Sequence, residues 1–101
     1  MTKKNDTKSS HLLVSGSTNV QSLAGAIANG LYEDKRIFLR SVGAGALNQS
    51  VKGLVKARSF ISSTRGWDLR VVPSMETVTF HNESGPEDRS AIVLKVEVVE
   101  G

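Results

Sequence analysis

The sequence predicts an α/β domain of the α+β two-layer kind, β-α-β-α-β-β, with both helices on one face of a mixed sheet. Three observations lead there. Short apolar runs alternate with longer stretches of three- and four-residue apolar spacing as far as Arg65, the pattern of strands interleaved with amphipathic helices. Only strand patterns follow, and consecutive right-handed crossovers place successive helices on the same side of a sheet. A length of 101 residues leaves room for one domain and one core, with enough surface left exposed that self-association would add stability.

The elements follow in order. Met1 to Ser10 is polar and reads as a flexible tail rather than a secretory signal, since no apolar stretch follows Lys3, Lys4 and Lys8 before Leu12. The single domain is expected over 11–101. His11 to Ser15, centred on Leu12-Leu13-Val14, reads as a buried strand. Thr18 with Gln21 three residues on fits a capping box opening a helix. Val20, Leu23, Ala24, Ile27, Ala28 and Leu31 then form its apolar stripe. Ile37 to Val42 alternates as the second strand. Gly43-Ala44-Gly45 is a turn, and a second helix is expected over 46–61 with Leu47, Val51, Leu54, Val55 and Ile61 facing inward. Asn48, Lys52 and Lys56 stand at i, i+4 and i+8, on one polar stripe. Trp67 to Val72 is the third strand, which Pro73 either ends or marks as an edge. Thr77 to His81 is a short strand or the continuation of the third. Asn82 to Asp88 is expected as a loop and Ala91 to Val99 as the closing strand.

Composition limits the chemistry. There is no cysteine, hence no disulfide, thiolate metal site or thiol nucleophile. His11 and His81 have no partners at metal-ligand spacing. No nucleophile-elbow context surrounds the serines. No catalytic residue, metal or cofactor is expected, and no apolar run reaches the length of a membrane helix. The cytoplasm is the expected location.

The net charge of +3 is unevenly distributed. Residues 35–70 hold eight lysines and arginines against Asp68 alone, whereas residues 71–101 hold Arg89 and Lys95 against six acids. A basic middle joined to an acidic end gives the domain a polarity suited to an anionic partner. Gly43-Ala44-Gly45 between strand and helix resembles the start of a dinucleotide fingerprint, but the third glycine would fall at Asn48 and no acid near position 65 ends the next strand. The turn instead offers backbone donors at a helix start, followed by Asn48, Gln49 and Lys52, a set suited to a phosphate backbone. The candidate nucleic-acid contacts are Arg36, Arg40, Gly43, Gly45, Asn48, Gln49, Lys52 and Lys56. The nucleic acid, DNA or RNA, would be bound with low sequence specificity. The apolar residues Leu54, Val55, Phe60, Ile61 and Trp67 are expected to centre a homodimer or higher oligomer. A protein-interaction module docking through the same helix is the alternative.

The run Val42-Gly43-Ala44-Gly45-Ala46-Leu47-Asn48-Gln49-Ser50-Val51-Lys52, continuing to Ala57-Arg58-Ser59-Phe60, resembles the hallmark stretch of the bacterial stage V sporulation protein S family. Val14-Ser15 leading into Ser22-Leu23-Ala24-Gly25-Ala26, Asp68-Leu69 through Val72-Pro73, and Arg89-Ser90-Ala91-Ile92 through Val96-Glu97-Val98 agree with it in one register. The resemblance implies an Alba-like fold, a dimer or higher oligomer and a regulatory part in spore development. Likeness to Alba proteins implies nucleic-acid binding. The sequence departs from the family in the turn after the first strand, Gly16-Ser17-Thr18, where a lysine is usual.

Overall fold

A computed structural model describes residues 8–100. Six elements follow in order: β1 (Ser9–Val14), α1 (Val20–Tyr32), β2 (Arg36–Ser41), α2 (Ala44–Arg65), β3 (Trp67–Asn82) and β4 (Gly85–Glu100). The sheet order is β1-β2-β4-β3. β1 and β2 are parallel, whereas β4 runs antiparallel to both β2 and β3. Both crossovers therefore connect parallel strands, as the alternation of patterns predicts. β1 begins at Ser9, inside the segment expected as tail, because its ladder extends to Ser9 opposite Arg36. The rest of that expectation, residues 1–7, lies outside the described residues.

Strand alternation decides what the helices cover. Ile37, Leu39 and Ser41 of β2 point into the helical layer, as do Leu94 and Val96 of β4, which pair with Leu39 and Ile37. Leu23, Ala24, Ile27, Ala28 and Leu31 of α1 close over them with Leu54, Ala57 and Ile61 of α2. α1 starts one residue later than the capping box implies. Asn19 is its N-cap, accepting from the Ser22 N–H at 2.8 Å, while Thr18 Oγ1 accepts from the Ser15 N–H in the preceding turn. Asn and Thr both cap helices, and the tight Ser15–Thr18 turn takes the threonine first.

The inward face of α2 differs from the apolar stripe in the sequence. Ala46, Ser50, Gly53, Leu54, Ala57 and Ile61 are buried, while Val51 and Val55 face solvent. Close helix packing is the reason. A Cβ added at Gly53 would stand 2.7 Å from Leu23 Cδ2, so small residues line the crossing and push the valines outward. Ser50 belongs to this face because its hydroxyl meets that of Ser41 at 2.6 Å, both fully buried. Ser50→Ala is expected to cost about 1–3 kcal/mol by leaving the Ser41 hydroxyl unpaired. Chemical denaturation of Ser41→Ala/Ser50→Ala should recover most of that loss, because no orphan then remains.

β3 and β4 are longer than the sequence predicts, 16 residues each. Thr77 to His81 is the continuation of β3 and not a separate strand. Pro73 pairs opposite Leu94 without interruption, which β3 permits because it is an edge strand. The loop expected at Asn82–Asp88 shrinks to the two residues Glu83-Ser84, with Gly85 at φ 110° allowing the sharp reversal. β2 pairs with β4 only between Ile37↔Val96 and Ser41↔Ile92, but the β3–β4 ladder continues from Glu76↔Ala91 to Asn82↔Gly85. At about 3.4 Å per residue, this bare two-stranded arm projects roughly 20 Å past the sheet. It accounts for much of the 49 Å long dimension.

Candidate functional site

α1 and α2 both start at the C-terminal ends of the parallel strands β1 and β2, the end from which the arm projects. Gly43, at φ 93°, caps α2 without a side-chain hydrogen bond, and this left-handed conformation is what favours glycine there. The first amides of α2 lack intrahelical acceptors, as at any helix start. Gly45 lies in the first turn, where a Cβ would stand 3.8 Å from Gly16 Cα, so the two turns touch backbone to backbone. Gln49 fastens them: its Nε2 donates to the Thr18 carbonyl at 2.8 Å. That donor is engaged within the fold, which gives Gln49 a structural role beside any contact to ligand.

Asn48, Lys52 and Lys56 lie along the exposed side of α2. Over eight residues the stripe runs about 12 Å. α1 contains no charged residue and α2 contains no acid. Val51 and Val55 lie on the same outer surface, 47% and 61% exposed, and with Val20, Lys52 and Lys56 they line a shallow groove of about 370 Å³. The sequence reading placed both valines in the core. Their β-branched apolar chains carry no signal that separates a core stripe from a surface groove.

Arg36 and Arg40 do not join this stripe. Ile37, Leu39 and Ser41 face the helices, so alternation sends Arg36 and Arg40 to the open face of the sheet. Arg40 is also paired with Glu76 on β3. Lys35, Arg58 and Arg70 of the basic middle also meet carboxylates. Arg58 meets Asp68 through two bonds of 2.6 and 3.1 Å. Arg70 and Lys95 both reach Glu97, and Lys35 meets Glu33 at 3.0 Å. Arg58 and the Leu69 N–H hold the Asp68 carboxyl below its usual range, and Arg70 and then Lys95 do the same for Glu97. Arg65 lies 4.6 Å from the Tyr32 ring centre and 5.0 Å from that of Trp67, a cation–π arrangement that pins the end of α2. Among the described residues, the cations of segment 35–70 with no carboxylate or aromatic partner are Arg36, Lys52 and Lys56. Only the two lysines are adjacent.

The apolar cluster expected to drive dimerisation is mostly internal. Leu54 and Ile61 are buried, and Phe60 and Trp67 pack against the core, so Val55 is the member left on the surface. The open face of the sheet carries the stacked rings of His11 and Phe38, 4.7 Å apart. No described helix is long and apolar enough to cross a membrane.

The fold is shared with solved proteins. Alba from Thermoplasma volcanium superposes with a TM-score of 0.65 over 87% of this chain and 99% of that one, at 14% identity. At that identity the likeness speaks for the fold, an Alba-like two-layer arrangement. The sequence match is more specific and takes in every element described above except the first residue of β1 and the last of β4: residues 10–99 fit the family described as Stage V sporulation protein S, and the chain belongs to that family.

Proposed function

We propose that this protein is a non-enzymatic, cytoplasmic regulator of sporulation that binds nucleic acid through the outer surface of α2. The observation that carries the reading is the contrast between Lys52 and Lys56, unpaired among the described residues on a helical layer without acids, and the neighbouring cations, nearly all neutralised. Asn48 and the free amides after Gly43 extend the same surface with uncharged donors. Such groups contact phosphate oxygens and carry no base information, so binding is of low sequence specificity. The exposed aromatic side chains needed for stacking on single strands are absent from this surface among the described residues.

The test is fluorescence anisotropy at low salt with several unrelated duplexes and single strands. Lys52→Glu is expected to weaken all of them about equally. Asn48→Ala should cost less, about 0.5–1.5 kcal/mol, the worth of one neutral hydrogen bond. Lys95→Glu, on the open sheet face beside Glu97, should leave affinity nearly unchanged. Absence of binding at tens of micromolar protein, or equal losses from Lys95→Glu and Lys52→Glu, would overturn the reading. The valine-lined groove favours one alternative, a protein docking on α2, whose affinity would respond little to salt.

A further inference from the structure

Among the described residues, no third strand pairs with the arm beyond Glu76, and nearly all of it is exposed. A lone two-stranded hairpin is marginally stable in water, yet this one keeps an unbroken ladder to Asn82↔Gly85. Val78 and Phe80 share one side of it by strand alternation, with Arg89 paired opposite Val78 and 5.9 Å from the Phe80 ring centre, Glu87 paired opposite Phe80, and Glu83 in the adjoining turn. Phe80 is 37% exposed. The whole arm carries Glu76, Glu83, Glu87 and Asp88 against Arg89 alone. It is therefore an acidic ribbon with an apolar stripe. The outer surface of α2 is its complement: Val20, Val51 and Val55 form an apolar groove rimmed by Lys52 and Lys56, on a layer with no acid in either helix.

We infer that the acidic tip of the β3–β4 arm docks on the α2 groove of a second copy of this chain, in a reciprocal arm exchange. Phe80 and Val78 cover the valines while Glu83 and Glu87 face Lys52 and Lys56. The arm is not placed to fill the groove of its own chain, because it extends the sheet layer beyond the end of β2 while the groove lies on the outer side of the helices. Seven arm residues on β3 span roughly 20 Å, within the length of about 33 Å that a 22-residue helix offers. A two-fold exchange satisfies both arms and both grooves at once and closes the assembly. It also covers Lys52 and Lys56, so the assembled form and nucleic acid would compete for the same lysines. That competition, though not the exchange itself, rests on the reading of the lysines as phosphate contacts.

The exchange is tested on nuclease-treated full-length protein by sedimentation velocity and zero-length carbodiimide cross-linking with mass spectrometry. The expected result is a dimer with inter-chain links from Lys52 or Lys56 to Glu83 or Glu87. Glu87→Lys should raise the dimer dissociation constant at least about tenfold, since like charges then oppose across the contact. Lys56→Glu should do the same, and the two changes together should restore assembly. Both positions are exposed, and circular dichroism checks that each variant is folded. A monomer at all concentrations, or a dimer indifferent to both single reversals, overturns the exchange. Anisotropy with a duplex separates the two readings: Glu87→Lys should bind more tightly than the wild type. If it dissociates the dimer without improving binding, the exchange stands and the nucleic-acid reading fails.

Discussion

Truncating Ile37 to alanine is expected to lower the unfolding free energy by about 2–5 kcal/mol, the range for deleting a fully buried branched side chain. Ile37 is 0% exposed at the centre of the sheet, packed between α1 and the Val96 pair of β4. Its environment also makes a sharper experiment possible. A Cβ added at Gly30 of α1 would fall on Ile37 Cδ1 and stand 3.3 Å from its Cγ1, so the helix approaches the strand only because residue 30 has no side chain. Gly30→Ala alone should therefore lose about 1–3 kcal/mol to overpacking, despite the better helix propensity of alanine. Ile37→Val removes the obstructing methyl. The two changes together should cost less than the sum of the single ones, with a coupling on the order of 0.5–3 kcal/mol. Urea denaturation of the four proteins measures it, and strict additivity would contradict the close approach described here.

The largest functional effect is expected from Lys52→Glu/Lys56→Glu. On the proposed interface each reversal removes a phosphate contact and adds a repulsion, on a helical layer that holds no acid of its own. With both gone, the groups left at this surface are Asn48 and the free amides of the first turn, uncharged donors without long-range attraction. Binding to every duplex should be abolished at 100 mM salt. Folding should be nearly unaffected, since both lysines are exposed, have no ion pair among the described residues and are replaced by good helix formers. Anisotropy with thermal melts as the folding control checks both halves.

The order of elements was legible because each carries its own period: Leu23, Ala24, Ile27, Ala28 and Leu31 on α1, and Ile37, Leu39 and Ser41 on β2, are the residues buried. What a local pattern does not contain is the neighbour. Gly53 and Ala57 replaced Val51 and Val55 on the inner face of α2 because Leu23 stands opposite, and nothing within α2 records that. Gly85-Pro86 read as loop punctuation, yet both residues lie in β4 beyond a two-residue turn. Of the eight cations in the basic middle, Arg36, Arg40, Lys52 and Lys56 read as one strand–turn–helix surface. Pairing across the sheet divided it, with Glu76 reaching Arg40 from a strand remote in sequence, and Arg36 facing away from the helices. The candidate site contracts accordingly, from a strand–turn–helix surface to one side of α2. The length of the arm was hidden for a related reason: Thr77 to His81 alternates as a strand, but its partner run Gly85 to Ser90 has no apolar period and reads as loop.

The salt dependence of duplex binding distinguishes a phosphate interface on α2 from a protein-docking one. Two lysines per chain predict a slope of log K against log salt of about −1.8, and thus about a tenfold loss of affinity between 50 and 200 mM salt. Lys52→Gln should reduce the slope by about 0.9, because one counterion-releasing contact is lost. A slope that is unchanged in Lys52→Gln, or near zero in the wild type, would contradict an interface built on Lys52 and Lys56.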